Sequence, residues 1–326
     1  MKLADILSRA DGHGLVSIRP MRPEDMEEVR EVGQIAWSDM VMHDIGRKFR
    51  YPKRSPRMIE AYLAMEPEGC LVAEQGGKII GSAFCHVWGK VGWIGPLEVL
   101  PDHQGSGVGK ALLRACERHL EQRGCQVIGL ETLSHIPKHL HLYLSSGYSP
   151  HSTVLIMEKM IDHEGAMTDE VEEVTVSSLP DVLPELVRLS ALMEPSLNLS
   201  REAKTIVERH MGNVYINRRD GEVVGAAFLH TYQRGEEAAF SSIKAVLVDP
   251  RRADAASIYD SLLERCEGAS LMMGKKRILI RFPVRDPVLY KHMLKRSYQL
   301  KGANIRMVKR GQYEERGTYH VASWAG

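Results

Sequence analysis

An internal repeat constrains the fold of this chain more than any other feature of its sequence. The octapeptide GKIIGSAF at 77–84 recurs as GEVVGAAF at 221–228, 144 residues further along the chain. The similarity continues from VLP at 99–101 to VDP at 248–250, and from the Leu-Leu pair at 112–113 to the pair at 262–263. A period this long indicates a duplicated domain and not a solenoid of short repeats.

Length and local composition set the expected domain boundaries. A chain of 326 residues exceeds the size at which a single core usually stops growing, so two domains are expected. The polar stretch DHEGAMTDE at 162–170 follows neither the helical nor the strand period. We therefore predict a first domain at 1–160, a linker at 161–172 and a second domain at 173–326.

Charge and cysteine content exclude several functional classes. With 43 basic and 42 acidic residues the net charge is +1, which gives no general reason to expect a nucleic-acid or membrane partner. The sequence shows no apolar run long enough for a membrane span and no apolar centre of a signal peptide, so a cytoplasmic location is expected. The five cysteines lack C-x-x-C spacing, so we expect reduced, mostly buried thiols.

A glycine-rich loop, VLPDHQGSGVGK at 99–110, joins a predicted strand to a predicted helix. Gly105, Gly107 and Gly109 have no Cβ, so their backbone amides can closely approach a ligand oxygen. Together with the unpaired donors and partial positive charge of the helix start, these amides favour a phosphate or diphosphate. The spacing fits neither a Walker loop nor the dinucleotide fingerprint G-x-G-x-x-G.

The loop resembles that of the Gcn5-related N-acetyltransferase (GNAT) family, which reads Gln/Arg-x-x-Gly-x-Gly/Ala. The strand that ends in VLP at 99–101 and the segment LYLSSGY at 142–148 resemble two further motifs in the family's order, and the resemblance covers about 16–160. It implies that acetyl-CoA is the co-substrate. The residues implied to bind it are Leu97, Val99, Gln104, Gly105, Ser106, Gly107, Val108, Gly109 and Lys110.

The expected fold class is α/β (α+β), with two tandem acyl-CoA N-acyltransferase-like domains, each a mixed, mostly antiparallel sheet flanked by helices. Gly76-Gly77 between two apolar runs predicts a β-hairpin. The resemblance implies that the sheet splays between its two parallel strands, where the cofactor and the substrate meet. In the second copy the loop reads PRRADAASI at 250–258, without glycine, so we expect a degenerate copy that does not bind CoA.

Acyl transfer to an amine needs a proton acceptor for the amine and a proton donor for the leaving thiolate. The resemblance implies Glu131 as the base, at the place where a branch that acetylates protein N-termini carries one, with Glu98 on the neighbouring strand as the second candidate. It implies Tyr143 as the general acid and the backbone amide of Val99 as the donor to the oxyanion. No cysteine or carboxylate completes a ligand set around the three histidines at 135, 139 and 141, so no metal is expected.

The sequence therefore predicts an N-acetyltransferase whose N-terminal domain transfers an acetyl group from acetyl-CoA to a primary amine of a small molecule or peptide. A homodimer is possible, and the resemblance implies that the segment around Trp37, Met40 and the basic cluster at 47–57 forms the acceptor wall. Two alternatives stay open: a non-catalytic CoA-responsive binding or scaffold module, and an aminoacyl transferase of the tandem type. The intact CoA loop and the near-neutral charge argue against transfer from charged RNA.

Overall fold

The structure is a computed structural model that describes residues 8–10, 13–162, 170–231, 240–285 and 287–324, so the predicted linker lies partly outside the described residues. Within these ranges the α-helices are α1 (Met26–Asp44), α2 (Pro56–Met65), α3 (Val108–Gln122), α4 (Pro137–Ser145), α5 (Leu179–Met193), α6 (Ser200–Glu208), α7 (Ala255–Met272) and α8 (Pro287–Lys295). The strands are β1 (Ser8–Ala10), β2 (His13–Pro20), β3 (Cys70–Gln75), β4 (Lys78–Trp88), β5 (Val91–Val99), β6 (Val127–Leu133), β7 (Ser149–Met160), β8 (Val171–Glu173), β9 (Gly212–Arg219), β10 (Glu222–His230), β11 (Phe240–Val248), β12 (Arg277–Pro283), β13 (Gln299–Arg310) and β14 (Val321–Ala322).

The strands form one mixed sheet that helices cover on both faces. Successive side chains of β3 alternate between the faces, as the pleat of a strand requires. Leu71 and Ala73 pack in the core beneath α3. Cys70 and Val72 pack in the core that contains α1, α2, α5 and α6. The predicted mixed sheet flanked by helices is confirmed.

The last strands of the two repeats exchange places at the centre of the sheet. The strand order is β1-β2-β3-β4-β5-β6-β13-β7-β12-β11-β10-β9-β8, with β14 beside β11. Thus β6 of the first half pairs with β13 of the second half, and β7 pairs with both β12 and β13. Each half therefore completes its part of the sheet with a strand from the other half.

The two halves differ where their parallel strands stop pairing. The ladder between β5 and β6 covers only 91–94 and 127–130, although both strands continue further. The ladder between β11 and β12 ends in the same way after Ile243 and Ile280. In the second half, however, β14 pairs with β11 just beyond this point. In the second half β14 therefore occupies the place beside β11 that corresponds to the open place beside β5 in the first half.

Local predictions hold well in the first half. Gly76 and Gly77 adopt φ angles of +57° and +78° and join β3 to β4 as a hairpin. The helix predicted after the glycine loop is α3. All five cysteines are buried and unpaired, as predicted.

None of the helices within the described ranges is both long and apolar enough to cross a membrane.

Candidate active site

A cavity of about 620 Å³ lies beside the end of β5, between the first turn of α3 and the helices α1 and α4. This volume is typical of small-molecule and cofactor sites. Residues of all these elements and of the glycine loop line it: Ala36, Trp37, Met40, Leu97, Glu98, Val99, Gln104, Gly105, Ser106, Gly107, Gly109, Lys110, Lys138, His139, His141, Leu142 and Tyr143. The fold thus brings most of the predicted site residues together, with Val108 and Glu131 as the exceptions.

The glycine loop forms one wall of the cavity. Gly105 and Gly107 have left-handed φ angles of +78° and +93°, which side chains rarely adopt. A Cβ built on either glycine would meet nothing within 4 Å. The first backbone bond of α3 runs from the Ala111 amide to the Gly107 carbonyl oxygen at 3.0 Å. The preceding amides of the first turn therefore have no acceptor within the helix and can bind an anion.

Two side chains hold the loop in place. The Gln104 side-chain amide donates a hydrogen bond to the Val99 carbonyl oxygen at 3.0 Å, which ties the loop to the end of β5. Val108 is 1% exposed and packs in the core beneath α3. Its side chain anchors the helix start and does not line the cavity, so only its backbone amide is available for the predicted role.

Tyr143 reaches the cavity from α4. Its ring packs edge-on against Tyr148, with a centroid distance of 6.0 Å. Burial raises the pKa of Tyr143 to about 12, so the phenol keeps its proton at neutral pH. A protonated hydroxyl at this place can donate a hydrogen bond or a proton to a leaving group.

Glu98 lines the cavity, but its carboxylate is fully engaged. Arg54 donates to both oxygens, at 2.8 Å and 3.2 Å, and the Trp37 indole donates to Oε1 at 2.7 Å. The side chains of Glu98 and Arg54 are only 2% and 4% exposed. Burial disfavours the charge on Arg54, but the nearby carboxylate outweighs it and raises the pKa of the guanidinium. This carboxylate therefore belongs to a buried ion pair.

Glu131 lies away from the cavity, at the centre of the sheet. Its Oε1 accepts hydrogen bonds from Arg306 of β13, at 2.8 Å and 3.1 Å, and the side chain is fully buried. Arg306 also bridges to Glu315 at 3.0 Å and stacks over Trp324. The strand exchange brings Arg306 beside β6 from 175 residues away in the chain, so no local sequence pattern predicts this pairing. Glu131 is therefore not among the residues that line the cavity.

The cavity also contains residues that the motifs did not single out. Ala36 is a new apolar contact, and Lys138 is a new cation, which pairs with Asp44 at 2.7 Å. His139 could have been assigned to the site from helical spacing, because it lies four residues before Tyr143 on α4. Burial, followed by the charge of Lys138, lowers the pKa of His139 to about 4. Within the described ranges no group of three or more His, Cys, Asp and Glu could hold a metal ion.

The region of the second half that corresponds to the glycine loop differs from it in charge and in the free space beside it. Asp249 pairs with Arg251 at 2.6 Å and Asp254 pairs with Arg252 at 2.7 Å, immediately before α7. Because Asp254 precedes the helix, a carboxylate stands where the first half presents glycine amides. A recess of about 20 Å³ borders Pro283, Arg285 and His320 in this half.

Comparisons with known proteins agree with this site. The Acetyltransferase (GNAT) family model matches residues 31–148. An acetyltransferase of Sodalis glossinidius is 30% identical over 146 residues, which cover 45% of this chain and 96% of that protein.

Two solved structures resemble nearly the whole chain. A protein from Pyrococcus horikoshii superimposes with a TM-score of 0.68 and 15% identity, covering 95% of each chain. A tandem GNAT protein from the clavulanic acid biosynthesis pathway gives a TM-score of 0.57 and 12% identity, over 93% of this chain and 99% of that one. At these identities the structures show the shared fold alone. Together with the relative from Sodalis, the match over the glycine loop and Tyr143 establishes that this chain belongs to the GNAT family of acetyltransferases.

Proposed function

We propose that the first half of this chain transfers the acetyl group of acetyl-CoA to a primary amine, and that the second half is a degenerate copy that does not bind CoA. The observation that carries this proposal is a single cavity that contains both the glycine loop and Tyr143. The loop supplies amides for a diphosphate, and the tyrosine supplies a proton within the same space. We propose that the segment 161–172 is the boundary between the two halves.

The residues of the cavity take distinct parts in the reaction. Acetyl-CoA supplies the acetyl group as a thioester, and the amine forms a C–N bond as the C–S bond breaks. The amides at the start of α3, with Lys110, hold the diphosphate. The backbone amide of Val99 donates to the carbonyl oxygen as negative charge develops on it. Tyr143 protonates the leaving thiolate.

The amine proton leaves by a route other than the two predicted carboxylates. Both Glu98 and Glu131 are held in buried ion pairs with arginine. Arg54 and Trp37 donate hydrogen bonds to the oxygens of Glu98, so they occupy this carboxylate. Glu131 does not line the cavity, so it lies outside the space in which the amine would bind. We propose that the amine reacts as its free base and that its proton passes to water in the open cavity.

Side chains and space in the second half support the proposal of one active half. The residue before α7 is Asp254, paired with Arg252, whereas the residue before α3 is Gly107, so side chains stand where a diphosphate would approach the amides. The pairing of β14 with β11 fills the position beside the parallel strands. The second half then serves to complete the sheet with β13.

Isothermal titration calorimetry with acetyl-CoA tests the proposal on matched glycines at the two ends of α3. Gly107 (φ +93°) and Gly124 (φ +76°) are both left-handed, and a Cβ on either meets no neighbour within 4 Å. Both alanine variants therefore carry similar backbone strain. We expect one acetyl-CoA per wild-type chain, a dissociation constant at least about tenfold higher for Gly107→Ala, and little change for Gly124→Ala.

Three results would contradict the proposal. Two molecules of acetyl-CoA per chain would show that the second half binds as well. An unchanged dissociation constant in Gly107→Ala would show that the glycine loop does not bind acetyl-CoA. Binding without thiol release for any amine would favour a CoA-responsive binding module.

A further inference from the structure

The walls of the cavity differ in polarity and charge, and this difference bears on the acceptor. Resting on the proposed function, we propose that the acceptor is a primary monoamine on an apolar body, and that amines with a second positive charge are selected against. Three features of the cavity lead to this substrate class.

The wall formed by α1 is apolar. Ala36, Trp37 and Met40 face the cavity from neighbouring turns of this helix. The Trp37 ring stacks on Tyr51 with a centroid distance of 5.2 Å, and Phe49 packs edge-on against Tyr51 at 6.1 Å. Phe49 is 51% exposed, so the aromatic cluster of Trp37, Tyr51 and Phe49 extends to the surface. Such a surface gains free energy by burying apolar groups of a ligand.

The carboxylate at this wall is already neutralised. Of the described residues that line the cavity, Glu98 alone carries a carboxyl group. It is charge-paired with Arg54 and hydrogen-bonded to Trp37. The pair is built into the helix packing, since a Cβ on Gly33 would lie 2.8 Å from Glu98 Oε2. Glu98 therefore fixes α1 and the segment that carries Arg54 against β5, and it offers no net negative charge to a ligand.

The opposite wall carries positive charge. Lys110 and Lys138 line it, but Lys138 is paired with Asp44 at 2.7 Å, so the positive charge comes from Lys110. His139 is neutral at physiological pH because burial lowers its pKa to about 4. This balance suits the phosphates of a nucleotide cofactor. A second ammonium group on the acceptor would lose its hydration without gaining a counter-ion, which is strongly unfavourable.

Steady-state thiol release with a matched pair of amines tests the inference. Pentylamine and cadaverine have the same five-carbon chain and differ only in the second ammonium group. We expect the wild-type kcat/KM for pentylamine to exceed that for cadaverine by at least about tenfold, and phenethylamine to be at least as good as pentylamine. Equal or higher kcat/KM for cadaverine, or for spermidine, would overturn the inference and leave the proposed function intact. Absence of thiol release with every amine would instead overturn the proposed function, and this inference with it.

The variant Arg54→Met tests the inference by restoring a negative charge at this wall, because it leaves the Glu98 carboxylate uncompensated beside the acceptor. We expect the ratio of kcat/KM for cadaverine to that for pentylamine to rise by about tenfold relative to wild type. Lys53→Met is the matched control, since Lys53 belongs to the same segment but pairs with Glu27 and Glu31 on the surface. An unchanged ratio in folded Arg54→Met would overturn the inference. If this variant fails to fold, the comparison of amines with the wild type decides the question alone.

Discussion

At the residue scale, a single hydroxyl connects the structure to the chemistry. Tyr143 lines the cavity, and burial raises its pKa to about 12. A phenol with this pKa stays protonated throughout the range in which amines become free bases. Its neighbour Tyr148 is buried in the core, 2% exposed, and does not line the cavity. Variants of the two tyrosines therefore test the proposed catalytic role of Tyr143 against a role in packing.

We expect Tyr143→Phe to lower kcat about 100-fold, because the leaving thiolate loses its proton donor. The dissociation constant of acetyl-CoA should change little, and Tyr148→Phe should keep kcat within about twofold. The wild-type pH–rate profile should show no decline near pH 10, since the pKa of Tyr143 is about 12. Stopped-flow and steady-state thiol release measure these quantities. A wild-type kcat in Tyr143→Phe would show that Tyr143 is not the proton donor.

The same scale shows why site residues differ in how well sequence predicts them. The glycine loop is a local feature, because the φ angles of Gly105 and Gly107 and the start of α3 depend on neighbouring residues. The carboxylates depend on distant partners: Arg54 lies 44 residues from Glu98, and Arg306 lies 175 residues from Glu131. A motif places a carboxylate on a strand but does not reveal which cation the fold brings to it.

At the element scale, α6 of the second half is joined to β4 of the first half by a buried charge. Glu202 of α6 accepts a hydrogen bond from the Trp88 indole at 3.0 Å, and His230 Nε2 lies 3.4 Å from its other oxygen. Burial alone would raise the pKa of Glu202, but His230 and Lys244 outweigh it and lower the pKa to about 2. The charged carboxylate therefore stabilises the contact between the two halves.

This pKa predicts a specific pH dependence of stability. The folded-state pKa of Glu202 is below its unfolded value of 4.5, so its stabilisation is present above about pH 4.5 and is lost as the pH falls towards 2. We expect Glu202→Gln to lower the free energy of unfolding at pH 7 by about 3 kcal/mol, with the difference from wild type shrinking below pH 4.5. Urea unfolding at several pH values measures this. Glu208→Gln, on the exposed side of the same helix, is the control, and a pH-independent difference for Glu202→Gln would contradict the assignment.

At the scale of the whole molecule, the exchanged strands make each half depend on the other. Met307 of β13 is fully buried in the core beneath α3, and Met157 of β7 is fully buried in the core beneath α7. Arg306 and Glu131 add a buried ion pair across the same boundary. A cut between the halves would therefore remove a central strand from each core.

We expect residues 1–162 alone to lack a cooperative urea transition and acetyl-CoA binding, because β6 loses its partner β13 and the core loses Met307. Co-expression with residues 163–326 should restore both properties, since the two fragments together contain every strand. Circular dichroism during urea unfolding and calorimetry with acetyl-CoA provide the measurements, with the intact chain as the control. A monomeric fragment 1–162 that unfolds cooperatively and binds acetyl-CoA like the intact chain would refute this dependence.

The sequence by itself determined the duplication, the β3–β4 hairpin, the glycine loop before α3 and the tyrosine of α4, because each is encoded by neighbouring residues with a defined periodicity or backbone requirement. Only the tertiary structure decided that β7 and β13 exchange places, since the strands that pair there lie far apart in the chain. It likewise decided that Glu98 and Glu131 pair with arginines and that β14 pairs with β11 in the second half. Such contacts form between residues far apart in the chain, where no local pattern records which partner the fold supplies.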